Sequence, residues 1–314
     1  MQIIPFDRPH IPEAEALALR CYQEERRHVP ALPERASLGV AQHFAGNGLS
    51  VAAVEDGRLI GFLCGVGPFP NAFRSTTATG VFSPMGGHGA VPEKRERIYA
   101  MMYQAAAERW VQAGAVSHAV CLYAHDEAAQ RQFFRYGFGM RCVDGIRLPE
   151  PIPVASCPLY DCAELPPEDW AQVYPLELAL HEHYLQSPFF MRRQPDDLEA
   201  FLASSAEENA RYFVARQNGR ICAYVKTIGE GETVIAGGEG YCHVHGAYCL
   251  PEHRGQGLYP NLLNFAMAQL NKDGCTRLGV DYESINPTAW GFWGKHFDAY
   301  THSVVRRIDE NILR

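Results

Sequence analysis

The sequence contains no apolar run of about 18 residues, which excludes a helical membrane span. Its ten cysteines include no CxxC pair, so they read as reduced, mostly buried thiols rather than a disulfide framework. No block of Lys or Arg is present. Lys+Arg total 28 against 36 Asp+Glu, a net charge of −8, which argues against nucleic acid as a partner because that affinity rests on clustered cations. The same balance suits a cationic or amine-bearing small substrate. No GxGxxG occurs, and no two glycines with four residues between them are followed by Lys, so NAD and Walker-type ATP binding are disfavoured. The start, MQIIPFDRPHIPEAEA, turns polar within six residues and lacks the apolar core of a secretory signal; the expectation is a cytoplasmic protein.

What is present is an ordinary globular composition: 314 residues, 47% hydrophobic, 20% charged and 11% aromatic. At roughly 150 residues per domain this predicts two cores. The chain also repeats itself. Pro92, Glu93 and Arg95 return as Pro251, Glu252 and Arg254, at an offset of 159 residues. Phe133-Phe134 and Phe138 return at the same offset as Phe292-Trp293 and Phe297, and Arg147 as Arg306. EDGRLIGF at 55–62 resembles QNGRICAY at 217–224 in a nearly identical register. Two copies of one unit account for all of this.

Each copy shows the same order of patterns, α, ββ, β, α, β, α, β. Asp56-Gly57 between two apolar runs is a strong hairpin signal. A long amphipathic helix ends at Gly114, and its stripe of Tyr99, Met102, Tyr103, Ala106 and Trp110 has the spacing of a core face. Between the copies, Pro149, Pro151, Pro153 and Pro158 forbid helix, which puts the domains at 1–150 and 158–314.

The chemistry concentrates in HVHGAYCLPEHRGQGLYPNLLNFAMAQL, residues 243–270. A short strand runs into a turn, and Arg254-Gly255-Gln256-Gly257 opens a helix. Two glycines let backbone approach a diphosphate, and the unpaired N–H groups of a first helical turn point at it with the positive end of the helix dipole behind them. At the equivalent places the first copy has Glu96, Ile98 and Ala100 for Gly255, Gly257 and Tyr259, so this copy is expected not to bind. Cys242, His243, His245 and Cys249 resemble zinc ligands by composition, but strand alternation points Cys242 away from the histidines, and no metal site is expected. His181 and His183 are two residues apart on a helix and are not a metalloprotease pair.

The segment resembles motif A of the GNAT superfamily of acetyl-CoA-dependent N-acetyltransferases, Arg/Gln-x-x-Gly-x-Gly/Ala, with Arg254, Gly257 and Tyr259 in its three places. Pro251 before it, Asn286 after the next strand and Phe292-Trp293 in the following helix strengthen the likeness. Tyr259 departs from the pattern, where a small residue is usual. The resemblance implies a tandem pair of α+β domains, each a mostly antiparallel mixed sheet flanked by helices, the first copy degenerate. It implies that acetyl-CoA is the co-substrate, with the backbone of Ala247, Tyr248 and Cys249 pairing with the pantetheine arm. Gly255, Gln256, Gly257, Leu258, Tyr259 and Pro260 would wrap the diphosphate, and Asn286 would contact the cofactor. The acetyl group would pass directly, in a ternary complex, to an amine, either a small molecule or a peptide N-terminus. The family's usual acid, a Tyr in the last helix, is Trp293 here, and an indole N–H is not a workable acid. Tyr259 and Tyr282 are the alternative acids. A base must also sit near the split between the central strands. Glu239, His243, His245, Asp281 and Glu283 approach or line those strands, and Glu283 is the favoured one. The competing expectation is a non-catalytic acyl-CoA-binding sensor or interaction protein.

Overall fold

The computed structural model describes residues 1–74 and 76–313. The chain is α+β, and its residues cluster into two compact units. The first comprises Met1–Asp144, Thr233–Ile235 and Ala299–Arg314, and the second Gly145–Glu232 and Ala236–Asp298. No described helix is long and apolar enough to cross a membrane.

The first unit runs β1 (Gln2–Pro5), α1 (Ile11–His28), β2 (Val51–Glu55), β3 (Arg58–Leu63), β4 (Val66–Phe69), β5 (Gly80–Ser83), β6 (His88–Ala90), α2 (Arg95–Gln112), β7 (Ser117–Tyr123), α3 (Glu127–Arg135) and β8 (Gly139–Arg147). Asp56 and Gly57 both adopt positive φ, 51° and 76°, the conformation that a tight β2–β3 turn demands. The predicted helical stripe is core: Tyr99, Met102, Ala106 and Trp110 are at most 1% exposed. Trp110 also donates from its indole nitrogen to the Leu49 carbonyl at 2.8 Å. Trp110→Ala should therefore cost about 3–5 kcal/mol, read as a lower urea midpoint for this unit's transition with an unchanged slope. A loss under about 1 kcal/mol would mean the indole is not buried as described.

The second unit runs β9 (Asp161–Leu165), α4 (Tyr174–Leu185), α5 (Leu198–Glu207), β10 (Arg211–Gln217), β11 (Arg220–Ile228), β12 (Tyr241–Cys249), α6 (Leu258–Lys272), β13 (Arg277–Glu283) and α7 (Pro287–His296). Its strands lie in the order β13-β12-β11-β10-β9, antiparallel except for β12 and β13. The Asn218-Gly219 turn repeats the positive φ angles of its counterpart, 50° and 80°.

The last strand, β14 (Asp298–Arg307), does not stay with the unit that precedes it. It lies between β7 and β8, antiparallel to β7 from Thr301↔Tyr123 to Arg307↔Ser117. The sequence places everything after residue 158 in one domain. The compact units assign residues 299 onward to the first, because that is where the backbone of β14 finds its partners.

Candidate functional site

β12 and β13 are parallel neighbours only from Tyr241↔Arg277 to Val244↔Val280. Beyond that point the two strands part. On its other side β12 pairs with β11, but the register slips between Lys226↔Gly246 and Thr227↔Val244, leaving His245 as an extra, bulged residue. From His245 to Cys249 one edge of β12 therefore has no partner strand, and its peptide groups are open to an extended ligand.

The loop after β12 is built as the sequence suggests. Gly255 and Gly257 take left-handed φ, 73° and 76°, and the space where a Gly255 side chain would lie is empty to 4 Å. Among the described residues, the amides of Gly255, Gln256 and Gly257 donate to no protein acceptor. Leu258 and Tyr259, in the first turn of α6, add two N–H groups without intrahelical partners, whereas Pro260 has none to offer. Arg254 braces the loop from behind: its Nε donates to the Cys249 carbonyl at 2.9 Å and its guanidinium lies over the Tyr248 ring at 5.3 Å. Gln256 is tied through Nε2 to the Glu252 carbonyl at 2.7 Å, and Tyr160 donates to its side-chain oxygen at 3.2 Å. Ala247 and Cys249 are half-buried on the open stretch of β12, with Tyr248 buried between them.

Tyr259 turns its ring away from this loop. It packs edge-on against Phe292 and Trp293, with centroids at 5.1 and 5.9 Å, and its hydroxyl donates to the Tyr224 carbonyl at 3.0 Å. Burial pushes that hydroxyl far above its usual pKa. Tyr282 is also buried, beside Trp290 of α7 and on the face of β13 opposite to Asp281 and Glu283. Asn286 caps α7, its side-chain oxygen accepting from the amides of Thr288 and Ala289, both at 3.1 Å. That leaves only its amide nitrogen to face a ligand.

Around the split the structure gathers charged groups from β11, β12 and β13, from the segment after α4 and from the residue that follows α5. Glu283 is held by Arg193 at 2.6 Å, and that guanidinium stacks on Tyr184 at 4.9 Å. His243, 1% exposed, has Nδ1 3.0 Å from the Tyr241 hydroxyl and donates from Nε2 to Asp281 at 2.8 Å. Burial raises the Asp281 carboxyl, but the His243 hydrogen bond and the charges of His243, His245 and Arg193 outweigh it and hold the group below its usual range. Lys226 pairs with Glu208 at 2.5 Å, and His245 lies 3.8 Å from the same carboxylate. Glu239, another residue expected near the strands, lies in the loop just before β12.

Two contributors from α4 escape a motif search. Glu177 lies over the bulge: a Cβ on Gly246 would meet its Oε1 at 3.5 Å. His183 sits near Tyr248, with ring centroids 6.3 Å apart, and its Nε2 is buried. Burial, together with the charge of Arg254, lowers the His183 pKa against an opposing hydrogen bond to Asn286. The available signal was helical spacing, since Glu177, His181 and Tyr184 share one face.

The first unit treats the equivalent region differently. His88, in the place of Ala247, is 1% exposed and spans from β6 to β7, with Nε2 2.8 Å from the Cys121 carbonyl and Nδ1 3.0 Å from the Tyr99 hydroxyl. Arg95, in the place of Arg254, is ion-paired with Glu24 at 2.8 Å and with Asp126, the cap of α3, at 3.4 Å. Glu96 turns to Arg131 and Arg135, at 2.9 and 2.8 Å.

A diverging parallel pair, a bulge at the split and a bare-amide loop opening the next helix form a recognisable set. Residues 177–298 match the model of the Acetyltransferase (GNAT) family. The GNAT match thus begins at Glu177, takes in the split and the loop, and ends where β14 begins. No curated protein matches the sequence. Among solved structures, a GCN5-related N-acetyltransferase from Sphaerobacter thermophilus is 13% identical with a TM-score of 0.61, covering 97% of this chain and 95% of its own. That likeness shows a shared fold along nearly the whole length. A GNAT-family acetyltransferase from Colwellia psychrerythraea (13% identical, 98% and 100% covered, TM-score 0.48) and a tandem GNAT protein from the clavulanic acid biosynthesis pathway (14%, 98% and 98%, 0.47) are also similar. Among the described residues no group of three or more His, Cys, Asp or Glu side chains could hold a metal ion.

Proposed function

We propose that the second unit binds acetyl-CoA and transfers its acetyl group directly to an amine. The observation that carries this reading is the combination of three unpaired amides at Gly255–Gly257 with the open edge of β12 beside them. The amides and the first turn of α6 suit a diphosphate, being preorganised donors at the positive end of a helix. The peptide groups of Ala247, Tyr248 and Cys249 suit the amide-bearing pantetheine arm, which pairs like an added strand. Asn286 presents its amide nitrogen to the same arm. Acetyl-CoA supplies an activated carbonyl; the protein orients it, excludes water and manages one proton.

The acceptor is an amine, a small molecule or a peptide N-terminus, and the carboxylates around the split favour one that arrives as a cation. Tyr259 and Tyr282 are placed less well as acids than their types suggest, since one hydroxyl is committed to a carbonyl and the other lies on the α7 side of its strand. The first unit is proposed to bind no acyl-CoA. Its slot is bridged by His88 and its counterpart of Arg254 is closed into an ion pair with Asp126.

The test is direct. Coenzyme A should raise the protein's melting midpoint where ATP and NAD do not, because saturation at about 100-fold over Kd stabilises by roughly 2.7 kcal/mol. Acetyl-CoA thioester should then be consumed when an acceptor is found in an amine panel. No midpoint shift with coenzyme A would overturn the reading.

A further inference from the structure

We propose that Glu177 is the catalytic base, taking the proton from the acceptor amine at the bulge of β12. This rests on the acyl-transfer reading above and replaces Glu283, which residue type alone favours.

Four carboxylates approach the split, and three are already engaged. Glu283 is held by Arg193 at 2.6 Å, Asp281 by His243 at 2.8 Å and Glu208 by Lys226 at 2.5 Å. Glu177 alone forms no ion pair among the described residues. A carboxylate locked to a guanidinium must give up that ion pair to accept a proton, whereas Glu177 has only the neutral Tyr224 hydroxyl beside it. It is also well placed, with Oε1 over Gly246, inside the open stretch of β12 from His245 to Cys249. Glycine at 246 keeps the strand side of that carboxylate free of a side chain, which would otherwise meet Lys226 Cβ at 3.3 Å and both Glu177 Oε1 and Tyr224 at 3.5 Å.

The electrostatics agree. Burial raises the Glu177 carboxyl above its usual range, and the Tyr224 hydroxyl, Lys226 and His181 pull it back only in part, while the charge of Glu208 adds to the rise. The Tyr224 hydroxyl is buried with no hydrogen bond of ordinary geometry and lies beside this carboxyl. Tyr184 on α4, Tyr212 on β10 and His245 on β12 complete the titratable surroundings. A base raised toward neutral pH suits proton removal at working pH. An acceptor that arrives as an ammonium first releases one proton to solvent; the free amine nitrogen then bonds to the thioester carbon and loses one proton to Glu177 as the carbon–sulfur bond breaks. The same proton equivalent ends on the departing thiolate, directly or through water, so the carboxylate is restored and no other reactant is needed.

The experiment compares wild type, Glu177→Gln and Glu283→Gln. Acetyl-CoA consumption is followed across pH with the best acceptor among phenethylamine, spermidine, glucosamine and kanamycin. Glu177→Gln should lose about 100-fold or more in kcat/KM at neutral pH. It should keep the wild-type melting shift with coenzyme A. The acid limb of its pH profile, set in wild type by a carboxyl above the ordinary range and rising with pH as that group ionises, should be gone. The residual rate should instead climb with the acceptor's own deprotonation. Glu283→Gln should keep the acid limb. Wild-type turnover with an unaltered limb in Glu177→Gln overturns the assignment alone. A wild type that binds coenzyme A but consumes no thioester with any of the four amines overturns the acyl-transfer reading and the assignment with it.

Discussion

Gly257→Glu is expected to abolish the melting shift that coenzyme A confers on the wild type. Two effects act together. The residue sits at φ 76°, a left-handed conformation that costs a side chain about 1 kcal/mol or more. Space is not the obstacle, since a Cβ would approach Val154 and Asn261 no closer than 3.8 Å. The larger effect is charge. A carboxylate at the mouth of a loop whose amides have no other acceptor satisfies them internally and opposes a diphosphate by about 1 kcal/mol per charge pair at 4 Å in water. At a partly buried site the opposition rises toward 4 kcal/mol. At a partly buried site the charge effect alone exceeds the roughly 2.7 kcal/mol that a 100-fold excess of ligand supplies. Glu96→Gln is the matched control: it lies at the counterpart of Gly255, where the carboxylate is turned to Arg131 and Arg135, and it should leave the shift intact. Scanning fluorimetry with and without coenzyme A decides the matter. A full shift in Gly257→Glu would falsify the placement of the diphosphate.

Removing residues 299 onward should unfold the first unit, although the cut lies more than 150 residues from its end in sequence. β14 is an interior strand of the sheet β4-β5-β7-β14-β8, and its pairing with β7 spans seven residue pairs. Tyr300 and Thr301 are completely buried and Val304 packs into the core that contains Trp110. Losing an interior strand exposes two edges and opens that core, an effect comparable to the whole 5–15 kcal/mol that an ordinary domain has to lose. Hydrogen exchange read by mass spectrometry should show peptides from β7 and β8 unprotected in the truncated chain. Persisting protection there would refute the strand order.

The hairpins and the two-glycine loop before α6 were legible because local chemistry dictates them: Asp56-Gly57 and Asn218-Gly219 take the φ values that only a few residue types accept, and Gly255 and Gly257 do the same. The core stripe of α2 was legible from helical period alone. Three features were not. The placement of β14 is a choice between two units of like pattern, and nothing in an alternating strand encodes which one it joins. The direction of the Tyr259 ring depends on the Tyr224 carbonyl, 35 residues away in sequence and adjacent only after folding. The choice among carboxylates turned on which of them had found a cation, and the Arg193–Glu283 pair joins positions 90 residues apart. Residue type nominated Glu283, and tertiary contact occupied it.

The position of β14 also bears on synthesis. A ribosome delivers β1 to β8 long before the strand that separates β7 from β8, so the N-terminal part of the chain must wait, incomplete, through the translation of about 150 further residues. Contacts of such sequence separation close slowly, and an unfinished sheet is the species most exposed to wrong pairing in the meantime. The later-made unit has all of its own strands first. Folding in the cell should therefore run against the direction of translation, with the earlier-made unit finished by β14.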